Sequence, residues 1–394
     1  MRILYGYSNC SDALYRKITA ENNVAVLRAD QKYHGLLIRG LAANAESVDC
    51  ISGLPINRAV TRRRLVREPD ETEGNIRYHY ITTLNLPGFR QLMILCGTFW
   101  RTLRARRKDT YAICDCLNIA NAYGMVLACR LRKIPVVCIV TDLPDMQRSS
   151  GWMRRLNNAL FGKADGFIIL TEQMNERVNR KGKPHIVLEG HVDSESKAIP
   201  FGEKYEALTG KKVVIYAGSL LKLYGIQNLV EGFLKAGIPD AELWIYGDGD
   251  YREELEKLCE HQDTVKYHGV RDNAEIVEAE TRAALLVNPR PSAPEYTKYS
   301  FPSKNMEYMV SGTPVLTTKL PGMPEEYHSL IYLLEDESSE GVSNALKQIL
   351  AEERPAREAK GKAAREFVLT RKSNVVQAQK VIDFLSRNYD AKKN

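Results

Sequence analysis

The sequence of 394 residues lacks several features that mark whole classes of protein. It has no run of about 18 apolar residues, so no segment is expected to span a membrane. Residues 1–5 have the pattern of a strand and no signal-peptide hydrophobic region, which predicts a cytoplasmic protein. There is no internal repeat, no low-complexity segment and no nucleic-acid-recognition motif, which disfavours a nucleic-acid-binding protein.

Cysteine is present but lacks the spacing of a disulfide framework or a metal site. The eight cysteines are scattered, and Cys114 and Cys116 are the only close pair. No second pair or histidine cluster accompanies them, so no metal is expected. Alternation along residues 111–117 predicts a strand with inward-facing and outward-facing thiols. Free thiols are typical of a reducing compartment.

The length and charge of the chain bound its organisation. A chain this long predicts two domains of roughly 150–200 residues. Its 44% hydrophobic and 27% charged residues are typical of globular proteins. The net charge of +7 is uneven, since residues 1–195 hold 29 Lys and Arg against 19 Asp and Glu, and the remainder holds 27 against 30. The basic first half predicts contact with an anionic partner.

Segments with the patterns of strands and helices alternate through both halves of the chain. This alternation predicts an α/β fold in which two Rossmann-like domains with parallel sheets face each other across a cleft. We expect one domain at residues 1–195, a second at 196–372 and a final helical segment at 373–394. The polar residues 194–211 are interpreted as the linker between the domains.

Three polar residues follow strand-like segments in the first half. Tyr7 and Ser8 end the first strand, and Asp142 follows the strand at 135–140. The carboxyl ends of parallel strands border the ligand crevice of an open α/β sheet, so these residues are predicted to bind a ligand. Asp142 could bind the hydroxyls of that ligand or act as a base. The alternative for Asp142 is that it caps the next helix.

Two basic segments also lie in the first half. Residues 60–73 contain four arginines and form either a solvated loop or a contact for an anion or a lipid headgroup. Residues 89–108 place apolar side chains, Phe99 and Trp100 among them, at helical spacing, and five cations lie between Arg101 and Lys108. Such a helix could lie in a membrane interface, or it could cover a sheet with a basic end that suits the helix dipole.

Residues 299–319 predict a loop, a helix and a strand. Ser303 is a favourable N-cap, and Gly312 is a typical residue at a helix end. The helix N-terminus would present Lys304 and free backbone amides, a combination that binds phosphate. Glu307, one turn further along, could accept hydrogen bonds from a sugar or ribose diol. The alternative is an ordinary capped helix with a surface glutamate.

The motif Ser303-Lys304-x-x-Glu307-Tyr308-Met309-x-Ser311-Gly312-Thr313-Pro314-Val315 resembles the donor-site signature of family-four glycosyltransferases. With Phe301 and Pro302 before it and residues 321–325 after it, the motif is similar to the branch that builds bacterial capsule and exopolysaccharide. The resemblance covers residues 213–385. It implies a GT-B fold, a last helix at 374–388 that crosses back to the first domain, and transfer with retention. The nucleotide-sugar donor, linked to UDP or GDP, would be a substrate, and no cofactor is expected.

The resemblance also implies which residues bind the donor. Gly218, Ser219 and Lys222 correspond to the diphosphate loop, and the base would lie near Gly247, Val270 and Arg271. Lys304, Lys222 and the helix N-terminus near Ser303 would meet the charge on the leaving phosphate, and Glu307 would orient the ribose. The family usually has Glu-x7-Glu, and Tyr299 occupies the position of the first Glu. The role of that Glu near the donor sugar would fall to Tyr299 or to Glu295.

The acceptor implied by the resemblance is a lipid-diphosphate-linked or growing polysaccharide glycan. Such an acceptor suits the basic first domain, with residues 89–108 in peripheral contact with an anionic membrane at the inner face of the plasma membrane. Two other functions remain open. One is a GT-B nucleotide-sugar epimerase, and the other is a non-catalytic nucleotide-sugar-binding partner, for which Tyr299 in place of Glu is the best argument.

Overall fold

The computed structural model describes residues 1–22, 29–56, 60–143 and 151–390. The chain divides into two compact units. The first comprises Met1–His191 together with Asn374–Asn394, and the second comprises Val192–Ser373. No helix among the described residues combines the length and the apolar composition needed to cross a bilayer.

The described strands of the first unit form an eight-stranded sheet in the order β10-β9-β8-β7-β1-β2-β5-β4. Every neighbouring pair is parallel except β4 and β5, and β3 and β6 form a separate antiparallel pair. The strands are β1 (Arg2–Gly6), β2 (Ser47–Ser52), β3 (Leu65–Val66), β4 (Glu71–Glu73), β5 (Ile76–Tyr80), β6 (Thr83–Leu84), β7 (Thr110–Asp115), β8 (Val136–Val140), β9 (Gly166–Ile169) and β10 (His185–Val187).

Helices form most of the crossovers between the parallel strands, whereas β2 and β5 are joined through β3 and β4. The helices are α1 (Asp12–Asn22), α2 (Ala29–Asn44), α3 (Phe89–Arg104), α4 (Ile119–Arg132), α5 (Gly151–Lys163) and α6 (Glu172–Val178). The helix predicted at 89–108 ends at Arg104, so the last three of its five cations lie in the following loop. One face of α3 buries Ile94, Thr98 and Thr102 against α4 and the sheet, which agrees with the sheet-covering alternative. Its other face exposes Phe89, Leu92 and Trp100.

The described strands of the second unit form a six-stranded, wholly parallel sheet in the order β13-β12-β11-β14-β15-β16. This order places the first strand of the unit at the centre, as in a Rossmann fold. The strands are β11 (Lys212–Ala217), β12 (Ala241–Tyr246), β13 (Val265–Gly269), β14 (Leu285–Asn288), β15 (Val315–Thr318) and β16 (Tyr332–Leu334). The prediction of an α/β fold with parallel sheets in two domains is confirmed.

The helices of the second unit are α7 (Tyr205–Thr209), α8 (Ile226–Ala236), α9 (Arg252–Cys259), α10 (Asn273–Arg282), α11 (Ser303–Ser311), α12 (Ser339–Ala351) and α13 (Arg354–Arg371). Short 3-10 helices occur at Ser194–Ala198, Lys222–Tyr224, Glu295–Tyr299 and Glu325–Tyr327. The segment interpreted as a linker therefore contains α7 and the first 3-10 helix. The Lys204 ammonium donates to the Thr313 hydroxyl over 2.7 Å and holds this segment against the second unit.

The last helix, α14 (Asn374–Tyr389), packs on α2 within the first unit. Gly40 makes this packing possible, because a Cβ there would lie 2.1 Å from the carbonyl oxygen of Asn374. Val381 and Leu385 are fully buried in the core of this unit. Although α14 follows the second unit in sequence, its apolar face completes the first.

Two local predictions were wrong. Ser303 is the first helical residue of α11 and not its N-cap, a position taken by Pro302, whose fixed φ and missing N–H suit the approach to a helix. Cys114 and Cys116 are not one inward-facing and one outward-facing thiol, because residues two apart in a strand share a face, and Cys116 lies just beyond β7. Both are fully buried, and the Cys114 sulfur lies 3.6 Å from that of Cys138. The αL end of α11 at Gly312, with φ 75°, is confirmed.

Candidate functional site

The N-terminal turn of α11 is anchored to the central strand of the second sheet. The backbone N–H of Ala217, the last residue of β11, donates to the Tyr308 hydroxyl over 2.8 Å, and this hydroxyl lies 3.2 Å from the carbonyl oxygen of Ala217. Tyr308 is buried, as are Asn305 and Met306 on the same helix. The buried face of α11 therefore fixes its first turn beside the loop that leaves β11.

Lys304 and Glu307 lie on the more exposed side of that turn. The Lys304 ammonium is 3.1 Å from a Glu307 carboxylate oxygen, and each side chain is about one-third exposed. Burial lowers the pKa of Lys304, but the Glu307 and Glu280 carboxylates outweigh burial, so that this pKa is raised. The ammonium is therefore charged at neutral pH. A cation and a hydrogen-bond acceptor stand side by side at a helix start, which suits a ligand that combines phosphate with a diol.

Three strand-to-helix loops meet next to this helix at the carboxyl edge of the sheet. The N–H of Gly218 donates to the Tyr246 carbonyl over 3.0 Å, and the N–H of Gly247 donates to the Gly269 carbonyl over 2.9 Å. Gly247 has φ 129°, and a Cβ there would lie 1.8 Å from the Gly218 carbonyl oxygen. Only glycine allows this approach. The structure thus brings the predicted diphosphate loop and the predicted base loops into one continuous edge.

The other residues that are predicted to bind the donor also lie on this edge, and their environments differ. Ser219 is exposed, and its carbonyl accepts from the Tyr216 hydroxyl over 2.7 Å. The side chain of Val270 is 72% exposed. Such a side chain points away from the protein and leaves the backbone peptide of Val270 accessible to a ligand. The Arg271 guanidinium is 3.7 Å from Glu275. The Lys222 ammonium forms an ion pair with Glu254, which raises the pKa of Lys222.

Glu295 and Tyr299 lie at the two ends of one 3-10 helix between β14 and α11. The buried Thr297 hydroxyl holds this turn by donating 2.7 Å bonds to the carbonyls of Ser292 and Pro294. Glu295 is exposed and Tyr299 is half-buried. Both candidates for the role of the first Glu therefore belong to one rigid turn.

Sequence reasoning missed Arg290, a cation on the same edge just after β14. Its guanidinium lies 4.3 Å from the ring centroid of Tyr224 and 5.4 Å from that of Tyr296. The Nε of Arg290 is buried and has no hydrogen-bond partner in the described structure. Arg290 and Lys222 thus flank the loop that follows β11. The only sequence signal for Arg290 was its position after a buried strand, which many loop arginines share.

The predicted acceptor residues lie at the carboxyl edge of the first sheet. The Tyr7 ring is buried and stacks on His34 at a centroid distance of 3.6 Å. The Ser8 hydroxyl accepts a hydrogen bond from the Asn118 amide. Asp142 is exposed and lies two residues beyond β8. The sheet order places β7 between β8 and β1, so Asp142 and the Tyr7–Ser8 pair lie along one edge.

A buried polar chain beneath Tyr7 was also missed. The Tyr5 hydroxyl is 2.6 Å from Nδ1 of His34, and Nε2 of His34 is 3.0 Å from an Asp115 carboxylate oxygen. The other Asp115 oxygen accepts the Leu117 N–H over 2.6 Å. These residues lie on β1, α2 and β7 and share no sequence spacing. Together they fix the ring on which Tyr7 stacks.

Comparison with known proteins agrees with this architecture. Residues 201–367 match the family model of glycosyl transferases group 1, and residues 31–188 match that of the glycosyl transferase 4-like domain. Comparison with curated protein sequences finds no match.

Solved structures share the fold along nearly the whole chain. Alr3699/HepE of Anabaena in complex with UDP is 16% identical with a TM-score of 0.66, over 98% of this chain and 100% of that one. The sucrose-phosphate synthase of Thermosynechococcus elongatus is 16% identical with a TM-score of 0.68, over 99% and 100%. The lipopolysaccharide outer core galactosyltransferase WaaB is 13% identical with a TM-score of 0.64, over 98% and 99%. Each half of the chain thus matches a family model of glycosyl transferases, and the solved structures share the GT-B fold.

Proposed function

We propose that the protein transfers a sugar from a nucleotide-diphospho-sugar to an acceptor hydroxyl, with retention at the anomeric carbon. The observation that carries this proposal is the start of α11, where Lys304 and Glu307 stand beside the loop that leaves β11. That loop contacts the Gly247 loop closely enough to exclude any side chain at Gly247. We assign the diphosphate to the first loop and to the α11 N-terminus, and the base to the loops at Gly247 and Val270.

Departure of the nucleoside diphosphate builds negative charge on its leaving phosphate. Lys304, the backbone amides at the start of α11, and Lys222 or Arg290 across the loop are the groups that would stabilise this charge. Glu307 would accept the hydrogen bonds of the ribose diol. UDP is the proposed nucleotide, since a structure that shares the fold is a UDP complex. We also propose that the protein is a family-four glycosyltransferase and that the sugar it transfers is a hexose.

The first unit is proposed to bind the acceptor along the edge that carries Tyr7, Ser8 and Asp142. A lipid-diphosphate-linked or growing glycan for capsule or exopolysaccharide fits the excess of 29 basic over 19 acidic residues in 1–195. Peripheral attachment to the inner face of the plasma membrane would use the segment at 89–108, whose exposed Phe89 and Trp100 provide an apolar face.

The test is a screen of UDP- and GDP-sugars for thermal stabilisation, because a ligand that binds only the folded state raises its stability. The stabilising donor is then incubated with lipid-linked glycans, and the anomeric configuration of the product is determined by NMR. A retained anomer supports the proposal. A free epimerised nucleotide sugar would identify the epimerase, and an inverted product would refute retention.

The variants Tyr299→Phe and Glu295→Gln test the non-catalytic alternative. If Glu295→Gln alone abolishes transfer, the role of the missing Glu has moved within the 3-10 helix. If Tyr299→Phe alone does so, the hydroxyl has taken that role. A wild-type chain that binds donor but transfers to no glycan would favour the nucleotide-sugar-binding partner.

A further inference from the structure

A cavity of about 570 Å³ opens in the first unit, at the opposite edge of its sheet from the residues assigned to the acceptor. It lies on strands β1, β2 and β5, on the sheet face opposite to that packed by α2 and α14. The last turn of α3 and the following loop form its other wall. Arg2 and Thr110, the first residues of β1 and β7, line it, whereas Tyr7 and Ser8 follow the other end of β1. Its volume is in the range of small-molecule sites.

The sheet face beneath the cavity is charged, although both faces of a parallel sheet are usually apolar. Asp49 of β2 pairs with Arg77 of β5, and Ile51 pairs with His79 in the next row. Five arginines line the cavity, and they come from three separate parts of the chain. They are Arg2, Arg77, Arg101, Arg104 and Arg106. Such a concentration of guanidinium groups in one concave site creates a strong positive potential.

Carboxylates hold three of these arginines in position. Asp49 accepts from Nη2 of Arg77 over 2.8 Å and lies 2.6 Å from its Nε, and Asp70 accepts from Nη1 and Nη2 of Arg101 at 2.9 and 3.3 Å. Glu46 accepts from Nε and Nη2 of Arg2 at 3.0 and 2.6 Å. Each pair uses at most two of the five donors of a guanidinium. The remaining donors are therefore preorganised for a further acceptor.

His79 also lines the cavity, between two of these carboxylates. Its Nδ1 is 2.8 Å from Asp70 and its Nε2 is 3.4 Å from Asp49, so an imidazolium could donate to both carboxylates. The hydrogen bond to Asp49 raises the pKa of His79 against the effect of burial, and Asp70 raises it further.

Arg104 and Arg106 form no ion pair within the described structure, and both border the cavity. Glu46 acts on Arg106 only at longer range. Five arginines thus stand against the bound carboxylates Glu46, Asp49 and Asp70, with Asp109 near Arg2 as a fourth acid. The cavity therefore keeps an excess of positive charge. This excess lies beside Arg104 and Arg106, the two arginines without an ion pair in the described structure.

We propose that this arginine-lined cavity is a binding site for a phosphate-bearing anion, distinct from the donor and acceptor sites. Arginine is the side chain best suited to phosphate, because its planar donors match phosphate oxygens bidentately. The volume of the cavity and the presence of guanidiniums on several walls favour a diphosphate or a phosphate with an attached organic group over a single monovalent ion. A soluble phosphate compound and a lipid headgroup both present this chemistry.

The test compares two matched pairs of substitutions by calorimetric titration of the full-length protein with inorganic pyrophosphate. Arg104→Gln with Arg106→Gln removes two cations that line the cavity. Arg107→Gln with Lys108→Gln removes two exposed cations just beyond it and serves as the control. All four side chains are exposed and lack ion pairs in the described structure, so thermal unfolding is expected to be unchanged in both. Any pyrophosphate bound by the second unit is common to all three proteins.

We expect the cavity pair to weaken pyrophosphate binding at one site roughly tenfold or more, and the control pair to change it less than about twofold. Equal weakening by both pairs would show only diffuse charge attraction and would overturn the proposal. Failure of the wild-type protein to bind pyrophosphate in the first unit, seen as identical titrations for all three proteins, would overturn it as well.

A second arm identifies the source of the phosphate. The same proteins are sedimented with vesicles of phosphatidylcholine and phosphatidic acid, with and without pyrophosphate. Loss of vesicle binding in the cavity pair alone, and release of the wild type by pyrophosphate, identify a lipid headgroup in the cavity. Vesicle binding that does not distinguish the two pairs, together with selective loss of pyrophosphate binding in the cavity pair, identifies a soluble phosphate compound.

Discussion

At the scale of single residues, the ion pair between Lys304 and Glu307 is the centre of the proposed donor site. Glu307 contributes to the raised pKa of Lys304, so the pair keeps the ammonium charged. An i,i+3 pair of this kind stabilises a helix only slightly. The two charges at the start of α11 therefore matter more for a ligand than for the fold.

Replacing Lys304 by Ala is expected to lower kcat roughly 100- to 1,000-fold, the usual effect of removing one preorganised donor to a developing negative charge. The fold should be retained, because the pair contributes about 0.5 kcal/mol or less. Kinetics at saturating donor and thermal unfolding measure these two effects. A variant with nearly normal kcat would remove Lys304 from the mechanism.

Glu307→Gln is expected to weaken the affinity for a nucleoside diphosphate roughly tenfold, because an amide accepts only part of the hydrogen bonding of a carboxylate. Calorimetry with UDP measures this loss. A UDP analogue without the 2′- and 3′-hydroxyls serves as the control, since wild type and variant should bind it equally. A penalty that persists with the analogue would exclude the ribose diol as the partner of Glu307.

At the scale of elements, the donor site depends on the contact between the loops that follow β11 and β12. Tyr308 of α11 fixes the first loop from one side, and the close approach of Gly247 to Gly218 fixes it from the other. These contacts hold the loop in one conformation before a ligand arrives. Preorganisation of this kind reduces the cost of binding.

Gly247→Ala is expected to destabilise the second unit by more than about 3 kcal/mol, because it combines a clash with a backbone conformation that only glycine adopts readily. Gly237→Ala is the matched control. Gly237 also has positive φ, 55°, but a Cβ there would meet nothing within 4 Å, so a cost of about 1–2 kcal/mol is expected. Urea unfolding and UDP titration measure both variants. Equal stabilities would show that the loop contact is dispensable.

At the scale of the whole molecule, charge and burial are unevenly distributed. The first unit carries the basic surface and a buried histidine pair, His34 and His191, whose rings contact Tyr33. Burial lowers the pKa of His191 to about 4, although its Nε2 donates to the Tyr33 carbonyl over 2.8 Å. The folded state therefore favours the neutral form of His191.

This depressed pKa predicts acid sensitivity. The pKa of His191 in the unfolded chain is near 6.5, and above this pH the folded state keeps its full stability. As the pH falls towards 4, the unfolded chain binds the proton before the folded chain does, so the folded state loses stability. The loss should reach roughly 3 kcal/mol near pH 4. Comparison of wild type with His191→Asn in urea unfolding between these pH values should show a smaller slope in the variant. The exposed His261→Asn is the control, and an equal slope in all three would contradict the assignment.

Membrane attachment is a second property of the whole molecule. The exposed apolar face of α3 and the cations around its end predict salt-reversible binding to anionic vesicles, with about 1 kcal/mol for each cation near the surface. Replacing Arg104, Arg106 and Arg107 together by Glu should abolish vesicle sedimentation and leave UDP binding by the second unit unchanged. Equal binding of the wild type to neutral and anionic vesicles, or binding to neither, would reject attachment through this segment.

Local sequence patterns determined much of the architecture. Short apolar strands alternating with helices predict parallel sheets in two domains, because the crossover between two parallel strands is usually a helix. The helix and strand at 303–318 followed from the end signal at Gly312 and the β-branched residues after it. These features depend on residues that are neighbours in sequence, so they could be recognised without a structure.

Tertiary structure alone decided which distant residues meet. Three features of the structure depend on strand order. They are the Tyr5–His34–Asp115 chain, the position of Arg290 between two tyrosines, and the cluster of arginines on β1, on β5 and at the end of α3. Strand order is not encoded in any local spacing, because parallel strands that pair can be separated by any length of chain. For the same reason the sequence indicated a basic first half, whereas only the packed sheet showed that part of this charge lines a cavity.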